Sequence, residues 1–365
     1  MLHLILKAST GCNSDCIYCE EWCRGGTGAS MSLGTVKRLF ELADDYLATR
    51  PDEFVEFVWH GGEPLLLGPA YYVRVWELQQ ACCETTGARI RHGLQTNLTC
   101  FGEEFIPVLR RLGIASVGTS YDPEPHVRGG GPDRDSDAYN RSFLRAISVL
   151  EHHGMTWDLS YVVARHSLAD PMRVFHFLTN LALGRGLNLN PVLTLDGVPR
   201  DCAITPEEYL QFLGAVFPFW LARRARFPSV VPFAELMHGI ETGALGPDAM
   251  AFGVCDARRN RLTIGPDGLA HPGGWTDAGP EPTLGNVNDT TFDDVLASPE
   301  FRRMQAHVRE LQGDACARCR LAPACCADED ALIVPGRWCR ARVGFVEQFL
   351  EPLTGHRVEH AGPDH

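Results

Sequence analysis

Two textures alternate along the first half of the chain. Strand-like runs occur at "LHLILKAS" (residues 2–9), "FVEFVWH" (54–60), "RIRHGLQTN" (89–97), "ASVGTSYD" (115–122), "WDLSYVVA" (157–164) and "LNLNPVLTL" (187–195). Helical spacing fills the gaps between them, at residues 33–47, 71–83, 103–113, 139–154 and 171–183. Strands alternating with helices of this length predict parallel βαβ units, six of them, hence an α/β chain with a curved sheet or part of a barrel. In such sheets ligands bind outside the carboxyl ends of the strands.

The pattern changes further on. From residue 205 to about 250 it is helical, with prolines at 206, 218, 228, 232 and 247 expected to break it. After Cys255, "RLTIGPDGLAHP" predicts a hairpin around a Pro-Asp-Gly turn, and "TFDDVLASPEFRRMQAHV" predicts one helix. The division expected is a core over residues 1–225, a linker over 226–252, a Cys-rich domain over 253–349 and a flexible tail over 350–365.

At 365 residues and a formal net charge of -13, with charges interspersed, the chain is poorly suited to nucleic acid or an anionic membrane surface. The opening apolar run is too short for a signal peptide and no uncharged stretch reaches spanning length, so a cytoplasmic protein is expected. Fourteen cysteines in a reducing compartment point to metal rather than disulfides. They gather at two places: Cys12, Cys16, Cys19 and Cys23, then Cys316, Cys319, Cys325, Cys326 and Cys339.

"GCNSDCIYC" (residues 11–19) directly follows the first strand. Soft thiolates within one loop wrap one metal centre. Spacing alone leaves zinc, with Cys23 as fourth ligand, level with an iron–sulfur cluster. "HGGEP" ends the second strand, "QTN" the third and "TSYD" the fourth, so four polar or Gly-rich motifs converge on one sheet edge.

On these motifs the sequence resembles the radical SAM superfamily. Its C-x3-C-x-(aromatic)-C hallmark is met by Cys12, Cys16, Tyr18 and Cys19, and its GGE-type motif by Gly61, Gly62 and Glu63. The resemblance implies a partial (β/α)6 TIM-like barrel carrying a [4Fe–4S] cluster on the three thiolates. Its open iron would take the amino-acid end of S-adenosylmethionine, whose reductive cleavage yields a 5′-deoxyadenosyl radical that abstracts a substrate hydrogen. Tyr18 would lie by the adenine and the Gly62–Glu63 strand end at the methionine amine. Asn97, Ser120 and Asp122 are the weaker candidates for the remaining polar contacts; Asp122 could instead cap a turn and Asn97 hold a strand end.

The C-terminal cysteines, standing alone, favour zinc. Beside the first motif the segment from Cys255 resembles a SPASM domain, with Cys255, Gly268, Cys316, Cys319, Cys325 and Cys339 in place. Gly273 and Glu329 stand where that family has cysteines. These departures fall on one of its two auxiliary clusters, so the resemblance implies a single auxiliary [4Fe–4S] cluster on Cys316, Cys319, Cys325 and Cys339. Cys326 is a possible substitute ligand and Cys255 a leftover buried thiol.

"HGGEPLL", "LQTN" and "SYD" resemble peptide maturases and anaerobic sulfatase-maturating enzymes. The latter carry a catalytic Asp where Gly274 stands here, which argues against sulfatase maturation. The expected function is a radical SAM oxidoreductase that oxidises or cross-links a ribosomally made peptide in natural-product biosynthesis. It would draw electrons from a flavodoxin- or ferredoxin-type donor and use a separate leader-binding protein, because Cys12 comes too early for a leader-binding domain. Alternatives are a small-molecule epimerase or dehydrogenase of the same superfamily and, from another class, a zinc-stabilised binding protein. No catalytic acid, base or hydrogen donor is assigned; for Cys23, Cys100, Cys202, His60, His271, Asp256 and Tyr121 a packing or surface role is favoured.

Overall fold

The computed structural model of the chain describes residues 1–19, 28–131, 133–192, 201–242, 260–272, 283–303, 306 and 343–356. Cys23, Cys255, Gly273, Gly274, Cys316, Cys319, Cys325, Cys326, Glu329 and Cys339 lie outside the described residues. In chain order the first elements are β1 (Leu2–Ser9), α1 (Leu33–Ala48), β2 (Val55–Gly61), α2 (Gly68–Cys82), β3 (Ile90–Thr96), α3 (Ile106–Arg111), β4 (Ser116–Ser120) and α4 (Ser136–His152). Then come β5 (Thr156–Val163), α5 (Pro171–Leu181), β6 (Leu187–Pro191), α6 (Pro206–Leu221), β7 (Val230–Val231) and α7 (Phe233–Thr242). Last are β8 (Arg261–Ile264), β9 (Leu269–Pro272), β10 (Gly285–Asn286) and α8 (Phe292–Leu296). The six strand-like runs are thus the first six strands, and the α/β class holds.

The chain divides into two units. The first comprises Met1–Asp158 with the described parts of Asp256–Trp275 and Pro280–Met304. Its strands run in the order β10-β9-β8-β1-β2-β3-β4. β1, β2, β3 and β4 pair in parallel, which puts their carboxyl ends on one edge. Alternate side chains of β1 (Leu2, Leu4, Leu6 and Ala8) are fully buried, as are Val55, Phe57 and Trp59 of β2. Period-two burial of this kind anchors the register, because a slip by one residue would turn the apolar set outward. Ser32 caps α1, its Oγ accepting the Thr35 N–H at 3.0 Å, and Val36, Leu39, Phe40, Ala43 and Leu47 form the buried stripe. Truncating one such side chain costs about 2–5 kcal/mol.

The hairpin read at residues 261–272 is present as β8 and β9, and β8 adds in parallel to the outer edge of β1, His3 opposite Arg261. The single helix expected over residues 291–308 is interrupted: α8 ends at Leu296 and helical structure resumes only after Ser298. Pro299 accounts for this, since it lacks an N–H and disfavours helical geometry in the residue before it. Ser298 then caps the next turn, its Oγ accepting the Phe301 N–H at 3.2 Å.

The second unit comprises Leu159–Cys255, of which residues 243–255 are not described, with the described parts of its C-terminal segments. Here β5, β6 and β7 pair in parallel. Thr205 and Glu208 close a capping box at the start of α6. Of the prolines expected to break this region, Pro206 opens α6 and Pro218 lies in its last turn, where the helix continues to Leu221. Phe217, Trp220, Phe233 and Phe345 pack into one aromatic cluster. No helix among the described residues is long and apolar enough to cross a membrane.

Candidate active site

The first-unit strand ends carry the site. Past β1 the chain turns through Thr10 and Gly11 into the cysteine loop. The end of β2 is drawn against that turn by two backbone bonds: Gly62 N–H donates to Ser9 O at 2.7 Å and Glu63 N–H to Gly11 O at 2.8 Å. The approach explains both glycines. A Cβ on Gly61 would sit 2.4 Å from Ser9 O, and one on Gly62 would sit 2.3 Å from Gly11 O. Gly61 also has φ +108°, a conformation L side chains rarely adopt.

Glu63 is fully buried. Its Oε1 accepts from Thr96 Oγ1 at 2.7 Å and from the Leu65 N–H at 2.9 Å, and its Oε2 accepts the Asn97 N–H at 2.7 Å. Burial raises its pKa, and these three donors oppose the rise. The carboxylate therefore joins the ends of β2 and β3.

From the end of β3 the Asn97 side chain reaches the cysteine loop. Its Nδ2 donates to Asn13 Oδ1 at 2.8 Å and to Ser14 Oγ at 3.4 Å, and lies 3.9 Å from Cys12 Sγ. Asn13 in turn donates to Thr99 Oγ1 at 2.7 Å and Cys100 Sγ at 3.1 Å. Ser120, at the end of β4, receives Gln95 Nε2 on its Oγ at 3.3 Å and Tyr139 Oη on its carbonyl at 2.8 Å.

Cys12, Cys16 and Cys19 are close enough to act on one another: Cys16 and Cys19 both oppose ionisation of Cys12. Burial pushes the Cys12 and Cys16 thiols up to about 11. Three soft donors on one loop, one buried and two partly buried, with Cys12 and Cys16 costly as bare thiolates, form a donor set suited to a metal centre that supplies the compensating charge.

Tyr18 donates its hydroxyl to Asp122 Oδ2 at 2.5 Å. The same oxygen accepts Arg128 Nε. Asp122 Oδ1 is buried and has no hydrogen-bond partner among the described residues, which leaves one acceptor for a ligand donor. Burial raises the Tyr18 phenol well above its ordinary range. Of the residues read from the sequence, the structure gathers Cys12, Cys16, Cys19, Tyr18, Gly61, Gly62, Glu63, Asn97, Ser120 and Asp122 at or next to the strand ends. The reading of residues missed Thr96, Asn13 and Arg128. Arg128 lies in a Gly/Pro/Asp-rich loop, "HVRGGGPDRD", where the one available signal was a cation followed by three glycines.

Comparison with known proteins gives two family matches. Residues 6–178 match the radical SAM superfamily, and residues 255–320 match the SPASM iron-sulfur cluster-binding domain. A serine-type anaerobic sulfatase-maturating enzyme of Klebsiella aerogenes is 26% identical over 226 residues, 60% of this chain and 54% of that protein, so the chain spans about half the length of that relative. A cysteine-type anaerobic sulfatase-maturating enzyme of Clostridium perfringens (strain 13 / Type A) is 23% identical over 369 aligned residues, 94% of this chain and 95% of the relative. The solved structure of native anSMEcpe with bound AdoMet and Cp18Cys peptide superposes with a TM-score of 0.76 at 20% identity, covering 97% of this chain and 98% of that one. At that identity the likeness establishes the fold.

Proposed function

We propose that this chain, which carries a radical SAM domain followed by an SPASM domain, is a radical SAM oxidoreductase that modifies a peptide. The observation that carries the reading is the meeting of three thiols, Cys12, Cys16 and Cys19, with the Gly61–Gly62 strand end and Asn97 on one sheet edge. These thiols would hold a [4Fe–4S] cluster, which supplies the electron that cleaves S-adenosylmethionine to a 5′-deoxyadenosyl radical. The roles left to the chain are to bind and orient. Tyr18 offers an aromatic face, and Asp122 Oδ1 and the Ser120 hydroxyl offer acceptors. Glu63 is engaged with Thr96, Asn97 and Leu65, so its part is to hold the strand ends in register. Cys316, Cys319, Cys325 and Cys339 would hold one auxiliary cluster, closed by four thiolates and suited to electron transfer or support.

The peptide substrate is supported by the names of the relatives and by the peptide in the superposed structure. Gly274, where the sulfatase-maturating enzymes have an Asp, favours a peptide other than a sulfatase, and a flavodoxin- or ferredoxin-type donor would supply the electrons. The test is anaerobic purification, a 5′-deoxyadenosine assay, and peptide mass spectrometry of a deletion strain. Deoxyadenosine release together with a peptide that accumulates unmodified supports the proposal. Turnover of a free metabolite in its place would favour the small-molecule epimerase or dehydrogenase. About two zinc and no sulfide per chain would mean a zinc-stabilised binding protein instead.

A further inference from the structure

The cysteine loop and the loop after β4 are joined by two backbone rungs. The Asp15 N–H donates to Gly129 O at 2.7 Å, and the Ile17 N–H donates to Val127 O at 3.1 Å. Cys16 and Arg128 are the residues between those rungs, facing each other in register. Arg128 is 7% exposed. Its guanidinium lies 5.5 Å from the Tyr18 ring centroid and 6.0 Å from that of Tyr139, and its Nε donates to the oxygen of Asp122 that also receives Tyr18. One buried side chain therefore touches the aromatic residue of the motif and stands opposite its middle cysteine. A buried ion pair is weak evidence for stability, because burying two charges offsets most of their attraction. Its placement next to a donor set for metal gives it another use.

We infer that Arg128 is a positioning residue for the metal centre, fixing Cys16 and Tyr18 in one frame and setting a permanent positive charge beside the thiolate. This rests on the reading of Cys12, Cys16 and Cys19 as cluster ligands. When the centre takes one electron from its external donor its negative charge grows, and a fixed cation stabilises that state. Arg128 thus raises the midpoint potential.

The test uses the full holo chain, with Arg128→Lys and the double variant Arg128→Met/Asp122→Asn, which removes both charges and leaves no uncompensated carboxylate. Iron and sulfide are counted, and the midpoint potential is followed by EPR on the cluster whose signal changes when S-adenosylmethionine is added. The expected result is a more negative potential in the double variant and a value near that of the parent in Arg128→Lys, with circular dichroism unchanged. Loss of only the iron at the first site from the folded double variant also supports the positioning role. Parent iron content and an unmoved potential in the double variant overturn it, and so does an equal shift in Arg128→Lys. A parent chain with no S-adenosylmethionine-responsive cluster instead overturns the cluster reading itself.

Discussion

Glu63 and Asn97 are tied to each other, the carboxylate Oε2 accepting the Asn97 backbone N–H at 2.7 Å. The Asn97 side chain continues the connection to Asn13 in the cysteine loop at 2.8 Å. Position therefore passes from the end of β2 to the end of β3 and on to the loop. In Glu63→Gln one oxygen becomes an NH2 facing a backbone or hydroxyl donor. A stability loss of about 1–3 kcal/mol is expected, read as a lower denaturation midpoint with reduced iron retention at the first site.

Gly62→Ala should be worse for the site than Gly93→Ala. The new Cβ at position 62 meets backbone atoms, Gly11 O at 2.3 Å and Gly11 C at 2.7 Å, whereas at position 93 the nearest atom is a Val58 methyl at 3.7 Å. The expected cost at position 62 is about 1–3 kcal/mol from overpacking, together with loss of iron from the first site. Position 93 should keep its iron. Equal iron in both variants would contradict the role given to the close approach.

Replacing Cys12, Cys16 or Cys19 by Ala should abolish deoxyadenosine formation and leave about four of about eight iron per chain. Cys23→Ala should leave both unchanged. About twelve iron in the parent would mean a second auxiliary cluster despite Gly273 and Glu329. Loss of metal in Cys23→Ala would return the zinc reading.

A pH effect is expected far from the cysteines. His92 accepts the Trp59 indole N–H on Nδ1 at 3.1 Å and meets Gln79 Oε1 through Nε2 at 3.0 Å. Burial holds its imidazole down at about 3, with Glu56 opposing. The folded chain then binds fewer protons than the unfolded chain between about pH 3 and the usual histidine value near 6.5. Stability from this residue is complete above that value and is lost as pH falls, by up to about 1.4 kcal/mol per pH unit. Urea melts from pH 7 to 5 should show a steeper decline in the parent than in His92→Gln.

The strand order up to β6 was legible because each strand is a short apolar run bounded by a helical pattern, and local periodicity reports local structure. The same holds for the cysteine loop, whose spacing is local. What sequence could not give was contact between distant loops. Arg128 meets Tyr18 across 110 positions through a glycine-rich loop without periodicity. Glu63 reads as a ligand contact from its motif, yet its three donors come from Leu65 and from Thr96 and Asn97 at the end of a different strand. The helix expected over residues 291–308 failed for a simpler reason: its apolar spacing runs through a Ser-Pro step that the backbone cannot follow.

The pairing of β8 with β1 also sets an order of events during synthesis. His3 leaves the ribosome 258 residues before its neighbour Arg261, a delay of roughly 13–50 s at ordinary elongation rates. For that interval the outer edge of β1 has no strand beside it, and an unpaired apolar edge is a template for wrong pairing. The strand that leads into the cysteine loop is thus made long before its outer neighbour. Slower translation of the segment before residue 261 should lower soluble yield, and metal loading during synthesis should be more efficient after that segment has emerged.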